Sequence, residues 1–219
     1  MIKQPASLVP KALFEGKNSI YHTMGLWAVP VIVSISRRLQ FHRRVATMSL
    51  NLITEDMNRV DTRRAKMSLK EVLTQLQQYD YILCSENMMM LRNEKAFEVA
   101  VLYDLEPFII LYESEFEAIT QYHRPAKITR LLTVFLYVVK HINERTKQPT
   151  WVTAPKIAED LGFTPATVYS YLDILRSEIG VLVRMGENFT TYEGRIPYHT
   201  RNMAEYLHYK DSKISLNKR

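Results

Sequence analysis

The stretch Thr153–Leu175, TAPKIAEDLGFTPATVYSYLDIL, decides the fold of the C-terminal half of this 219-residue chain. It predicts two short helices, each opened by a threonine that can cap it and by a proline in the first turn, where a missing N–H costs little. Gly162 follows the first helix, Ala154–Leu161, and allows the chain to turn through positive φ. The buried sides of the two helices are formed by apolar residues at helical spacing: Ile157, Ala158, Leu161, Val168, Leu172 and Leu175.

The flanking sequence predicts a helix before this stretch and a β-hairpin after it. Apolar residues recur at three- and four-residue steps over 127–145, and Gln148-Pro149 ends that helix. Val181–Met185 alternates as a strand, Gly186–Asn188 forms a turn, and Phe189–Tyr192 is the returning strand.

This order of elements, with the motif at 153–175, resembles the helix-turn-helix of the winged-helix superfamily. The resemblance implies that the helix after Thr164 enters the major groove of duplex DNA and that the hairpin, the wing, rests on the backbone. Tyr169 could instead pack beneath the wing, and the hairpin could be purely structural. The candidate DNA-binding residues in this half are Lys156, Thr164, Thr167, Tyr169, Ser170, Arg184, Asn188, Arg195 and Arg201.

The N-terminal half contains a shorter sequence pattern that is similar to this motif. Ile53–Met57 repeats the pattern of 157–161, Ser49 can cap the helix, and Asn58 stands where positive φ is needed. Asp61 opens the next helix, whose predicted buried stripe is Ala65, Leu69, Val72, Leu73 and Leu76. The cations that this helix is expected to expose to DNA are Arg63, Arg64, Lys66 and Lys70, and the alternative for them is a solvated surface.

The rest of the N-terminal half completes a second winged-helix-like unit. Tyr81–Cys84 and Met88–Leu91 predict a hairpin, followed by a further strand at Phe97–Tyr103. Upstream, Tyr21–Ile35 predicts a hydrophobic helix that is interrupted at Pro30.

The expected fold is therefore mainly α with small β-hairpins, an α+β protein of two tandem winged-helix domains. The first domain covers residues 1–112, an acidic connecting helix covers 113–126, and the second domain covers 127–219 with a basic tail.

The distribution of charge agrees with a polyanionic partner. The net charge of +6 divides into +5 over residues 1–60, −5 over 61–120 and +6 over 121–219. Basic regions attract nucleic acid because each neutralised phosphate releases counterions. The alternative is a mildly basic protein whose charge has no functional meaning. The acidic segment is expected to face away from DNA or to meet a partner protein.

Several classes of function are not expected. Cys84 is the only cysteine, so no intramolecular disulfide or cysteine-rich zinc site can form, and the compartment is expected to be cytoplasmic. The longest apolar run, Gly25–Ile35, is too short to span a bilayer. Neither a Gly-x-x-x-x-Gly-Lys-Ser/Thr loop nor a His-Glu-x-x-His motif occurs, so we expect no enzyme, cofactor or metal site.

Tandem winged helices in a chain of this size resemble the replication initiators of plasmids and phages. Leu8–Phe14 is similar to the start of some plasmid initiators, and Leu26-Trp27 with a distant helix-turn-helix is similar to phage replisome organisers. The resemblance implies binding to origin repeats, with replication proteins or a second copy of the chain as partners. A transcription repressor of the same fold and a protein-interaction module without DNA binding remain the alternatives.

Overall fold

The structure is a computed structural model that describes residues 5–16, 19–58, 63–184 and 199–207. The protein is α+β, with helices and small antiparallel sheets. The chain divides into two compact units, residues 1–132 (unit 1) and 133–219 (unit 2). The division falls later in the chain than the connecting segment that the sequence predicts at 113–126.

Unit 1 combines six helices or helix starts with five strands among its described residues. They are β1 Pro5–Pro10, α1 Ile20–Met24, α2 Ala28–Arg38, β2 Val45–Met48, α3 Leu50–Asp56, α4 Arg63–Gln78, β3 Ile82–Cys84, β4 Phe97–Val101, β5 Phe108–Tyr112, α5 Glu113–Thr120 and the start of α6, Pro125–Val139. One sheet has the order β2-β4-β3, and a second pairs β1 with β5.

The hydrophobic N-terminal helix is broken at Gly25, so the predicted interruption at Pro30 is wrong. Gly25 adopts a φ of 73° between α1 and α2, a conformation that suits glycine. Pro30 lies in the first turn of α2, where its missing N–H would have no helical partner. Most of α2 is buried, and it packs against β1, β2 and α3.

The helix pair α3 and α4 follows the sequence prediction closely. The Ser49 hydroxyl accepts a hydrogen bond from the Leu52 N–H at 3.2 Å, and Asn58 adopts a positive φ of 43°. The predicted stripe of α4 is buried, at Ala65, Leu69, Val72, Leu73 and Leu76. The predicted cap Asp61 lies outside the described residues.

The hairpin of unit 1 has a different second strand from the one predicted. β3 pairs with β4, with Ile82 opposite Val101, whereas Met88–Met90 forms a 3-10 turn. The prediction of a strand at Met88–Leu91 is therefore wrong. Met88 and Leu91 are buried while the two methionines between them are exposed, so the burial has a period of three rather than two.

The acidic segment belongs to unit 1. Its helix α5 packs against β1 and β5. The Glu113 carboxylate accepts a hydrogen bond from Arg37 at 2.7 Å, and buried Glu115 accepts one from the Tyr112 N–H at 3.2 Å. Two of its carboxylates are thus bonded within the unit, with Glu115 buried and the Glu113 side chain 44% exposed.

Unit 2 begins within α6, whose C-terminal end comes earlier than predicted. The helix stops at Val139 instead of continuing to residue 145. Asn143 then accepts hydrogen bonds from the N–H groups of Arg145 and Thr146, and Lys147 has a φ of 59°. This side-chain turn competes with helix continuation. The other elements are α7 Ala154–Leu161, α8 Pro165–Asp173, a π-turn at Ile174–Glu178, β6 Leu182–Val183, β7 Thr200–Arg201 and α9 Ala204–Leu207.

The strand β6 pairs with β7, with Leu182 opposite Arg201. The returning strand predicted at Phe189–Tyr192 and the turn at Gly186–Asn188 lie outside the described residues. Thr150 forms a backbone bridge with His199, directly before β7. The chain around β7 therefore lies between Thr150 and β6.

The two units share one order of elements. Among the described residues of each unit, a helix is followed by a strand or a bridging residue, then by two helices, and then by two strands. The second of these two strands lies between the first and the earlier strand or bridging residue. The sequence echo between 53–57 and 157–161 falls on α3 and α7, which hold equivalent positions in this order.

Candidate nucleic-acid interface

The helix α7 is bounded by local side-chain and backbone contacts. The Thr153 hydroxyl accepts a hydrogen bond from the Lys156 N–H at 3.3 Å. At the other end Gly162 adopts the left-handed conformation, with φ 65° and ψ 30°, and the Phe163 N–H reaches back to the Ala158 carbonyl at 2.9 Å. These contacts fix the turn from which the next helix starts.

The helix α8 is capped in the same way and presents a polar side to solvent. The Thr164 hydroxyl accepts a hydrogen bond from the Thr167 N–H at 3.2 Å. Val168 and Leu172 are buried, while Thr164 and Ser170 are exposed and Thr167 is half-buried. The predicted site residues of α8 therefore lie on its outer side.

The two tyrosines of α8 have different environments. Tyr169 is 53% exposed, and the predicted wing beneath which it could pack lies outside the described residues. Tyr171 is buried, and its ring centroid lies 6.2 Å from that of Phe163. Of these two tyrosines, Tyr169 is the one that is exposed to solvent.

Lys156 is exposed, but its charge is shared with two carboxylates of its own helix. Its ammonium group lies 2.7 Å from Asp160 and 3.1 Å from Glu159. The pKa of Lys156 is raised, and the largest cause is its hydrogen bond to Asp160. Its hydrogen bond to Glu159 is the second cause. Asp160 also accepts a hydrogen bond from the Tyr137 hydroxyl. A phosphate would have to compete with both carboxylates for this lysine.

Arg201 is fully buried, so its prediction as a DNA-contacting side chain is wrong. It lies in β7 and donates a hydrogen bond to Glu144 at 2.9 Å. Its guanidinium also lies over the rings of Phe135 and Tyr206. Strand pairing turns this side chain into the core, which the sequence prediction of a basic surface tail did not anticipate.

Arg184 is exposed directly after β6 and borders a cavity of about 500 Å³ beside α8. Arg176 and Tyr169 line the same cavity. Arg176 was missed from the sequence, although it stands seven residues after Tyr169 and therefore on the same side of the helix.

In unit 1 the structure corrects the position of Lys66, which is only 8% exposed. Lys66 precedes Leu69 and Leu73 by three and seven residues, so it shares the buried side of α4. Lys70 is half-buried. The exposed side of this helix is formed by Met67, Glu71, Gln75 and Gln78.

Four predicted site positions receive no structural test. The side chains of Arg63 and Arg64 are outside the described part of the chain, although α4 begins at Arg63. Asn188 and Arg195 also lie outside it.

Within the described ranges, no helix has the length and apolar character needed to cross a membrane. No cluster of three or more histidine, cysteine or carboxylate side chains suited to a metal ion occurs in those ranges either. Comparisons with known protein families, with curated proteins and with solved structures gave no match.

Proposed function

We propose that the chain is a sequence-specific duplex-DNA-binding protein of two winged-helix units. The observation that carries the proposal is the capped helix α8, which follows the Gly162 turn and presents Thr164, Tyr169 and Ser170 to solvent. The paired strands β6 and β7 follow it, as the hairpin of a winged helix follows its recognition helix.

The chemistry of α8 suits base edges and phosphate oxygens. Hydroxyl groups can donate to phosphate oxygens and can donate to or accept from base edges, while they add no long-range attraction. Positive charge comes from Arg184 at the end of β6. Unit 2 thus combines a helix that carries hydroxyl groups and no basic side chain with the neighbouring Arg184.

Unit 1 repeats the order of elements, and we propose that it contacts DNA less extensively. Lys66 is buried and Glu71 is exposed on α4, which leaves the start of the helix and Lys70 as its basic part. Arg63 and Arg64 are the proposed contacts there.

The biological role that we propose is initiation of plasmid or phage replication at origin repeats. Two units of one architecture in a single chain allow contacts to two groove segments without a second subunit. A transcription repressor is the alternative, because the same fold serves both roles.

The test is binding of the purified chain to labelled duplexes from its own gene's upstream region, followed by fluorescence anisotropy over a salt series. We expect affinity to fall about tenfold or more over a few-fold rise in salt. A footprint over short direct repeats supports initiation, whereas one inverted repeat over a promoter supports repression. Absence of duplex binding at low salt would exclude both roles.

A second function, contact with another copy of the chain, is favoured by one observation in unit 1. In the part of the chain that the structure describes, β3 pairs with β4 alone, and Leu83 on its outward side is 62% exposed. Apolar edge strands pair readily with their own copy. Sedimentation of the wild type and of Leu83→Lys tests this, since the charge should shift the chain toward monomer.

A further inference from the structure

The cavity beside α8 in unit 2 gathers positive charge and an exposed aromatic ring. Its lining includes Tyr169 and Arg176 from the helical segment, Arg184 after β6, and His199 before β7. At about 500 Å³ it has room for a phosphate with an attached sugar. It opens on the side of α8 that presents Tyr169 to solvent.

The two arginines act on the same imidazole. Burial is the main cause that lowers the pKa of His199 to about 4, and the charges of Arg176 and Arg184 lower it further. Arg176 and Arg184 also line the same cavity, so an anion bound inside it lies near two guanidinium groups.

Asp173 also lines the cavity, and its carboxylate is an anion that already pairs with Arg176. Its carboxylate lies 2.5 Å from the Arg176 guanidinium and is 69% exposed, while Arg176 also donates to the Leu172 carbonyl at 3.0 Å. Only the aspartate side of this pair is exposed, with the Arg176 side chain 19% exposed, and solvent at the carboxylate weakens the attraction, so an incoming anion can replace Asp173.

The N-terminus of α7, which also borders the cavity, adds little hydrogen bonding. Pro155 has no N–H, and the Lys156 N–H is bonded to the Thr153 hydroxyl. The positive charge that binds an anion here therefore comes from Arg176 and Arg184.

We propose that this cavity seats one phosphate of the DNA backbone between Arg176 and Arg184, with Asp173 displaced from Arg176. The inference rests on the proposed function and identifies which groups of unit 2 grip the strand beside α8. The planar guanidinium groups match two phosphate oxygens each, which fixes the register of the helix in the groove.

The first test compares Arg184→Gln and Arg176→Gln with the wild type in duplex binding over a salt series. Each variant should bind about tenfold more weakly, the effect of one charge-assisted hydrogen bond. Each should also lower the slope of log affinity against log salt by about one. Arg145→Gln, an exposed arginine of the same unit away from the cavity, is the matched control and should change the slope little.

Asp173→Asn should change duplex affinity in the opposite direction to the arginine variants. It frees Arg176 and removes a negative charge from the rim, so duplex affinity should rise about threefold. A merely structural role of the Asp173–Arg176 pair predicts no gain, and this variant also serves if Arg176→Gln fails to fold.

The second test distinguishes the DNA backbone from a free phosphorylated molecule. The His199 ring is followed by NMR during titration with a short duplex and, separately, with inorganic phosphate. A duplex phosphate beside the arginines favours the imidazolium, so the duplex should raise the pKa of His199 in the wild type but not in Arg184→Gln.

Three outcomes would contradict the assignment. Duplex binding with unchanged affinity and slope in both arginine variants removes the cavity from the interface and leaves the proposed function standing. A response of His199 to inorganic phosphate but not to duplex assigns the cavity to a free ligand. A wild type that binds no duplex at low salt overturns the proposed function itself, and this inference with it.

Discussion

The guanidinium of Arg201 donates a hydrogen bond to Oε1 of Glu144 over 2.9 Å, and Arg201 is fully buried. The Tyr206 hydroxyl donates to the other oxygen of the same carboxylate. One half-buried glutamate thus connects the turn after α6 with β7 and α9. These two hydrogen bonds hold β7 and α9 against the turn after α6.

Replacing Arg201 should therefore affect stability rather than DNA affinity. Arg201→Ala removes the buried partner of half-buried Glu144, and we expect the free energy of unfolding to fall by about 2 kcal/mol, the order of one hydrogen bond to a charged group. Urea unfolding followed by circular dichroism measures the change. The exposed Arg145→Ala should cost less than about 0.5 kcal/mol. If Arg201→Ala is as stable as the wild type but binds duplex DNA tenfold more weakly, Arg201 contacts DNA after all.

The buried His199 predicts a loss of stability in acid. Burial, with the charges of Arg176 and Arg184, lowers its pKa to about 4 in the folded state, against about 6.5 in the unfolded chain. The unfolded state therefore binds the proton more readily, and stability falls as the pH drops from 6.5 towards 4. The loss amounts to up to roughly 3 kcal/mol from this group.

His199→Gln is the variant that isolates this effect. Free energies of unfolding measured between pH 7.5 and pH 4 should decline less steeply in the variant than in the wild type. Parallel curves for the two proteins would show that His199 does not titrate as its surroundings suggest.

Substitutions at Gly162 test the cost of the left-handed backbone conformation separately from any steric clash. Its φ is 65°, and a Cβ built at this position meets no atom within 4 Å. Gly162→Ala should therefore destabilise the protein by about 1 kcal/mol without any steric clash. Gly162→Asn should cost less, because asparagine tolerates this conformation better. Equal costs for the two variants would mean that the left-handed conformation is not the cause.

The helices α7 and α8 could be predicted from the sequence because their limits are set by neighbouring residues. Thr153, Thr164 and Gly162 act within a few positions of themselves, and the structure confirms all three roles. The pairing of β6 could not be predicted in this way, since its partner β7 comes after a long intervening segment. Register between distant strands is a property of the folded chain.

The exposure of the candidate residues was predicted correctly on α8, and it was predicted wrongly for Lys66 and Arg201. Tyr169 and Ser170 are exposed on α8 as expected. Lys66 could have been placed by its spacing from Leu69, but its charge suggested a surface position. The burial of Arg201 depends on Glu144, which is too distant in sequence for any local pattern to show.

The start of α4 carries a prediction for unit 1. Replacing both Arg63 and Arg64 with alanine removes two proposed contacts, and duplex affinity should fall about tenfold or more at low salt. The melting temperature should change little. The matched control replaces exposed Arg92 and Lys95 of the same unit, which removes equal charge. If both double variants weaken duplex binding equally, the loss of affinity comes from the change in net charge. The start of α4 is then not part of the DNA interface.

Thr167→Glu places a negative charge on the outer side of α8, where Thr167 is half-buried beside the capping residue Thr164. If this side faces DNA, repulsion from phosphate and loss of a hydroxyl contact should cost about 1 kcal/mol or more in binding, roughly fivefold in affinity. Fluorescence anisotropy with a labelled duplex measures it. Thr146→Glu adds the same charge at an exposed turn of unit 2 and should have a smaller effect. If Thr167→Glu binds the duplex as tightly as the wild type, and circular dichroism shows that its helices are intact, then α8 does not lie in the DNA groove.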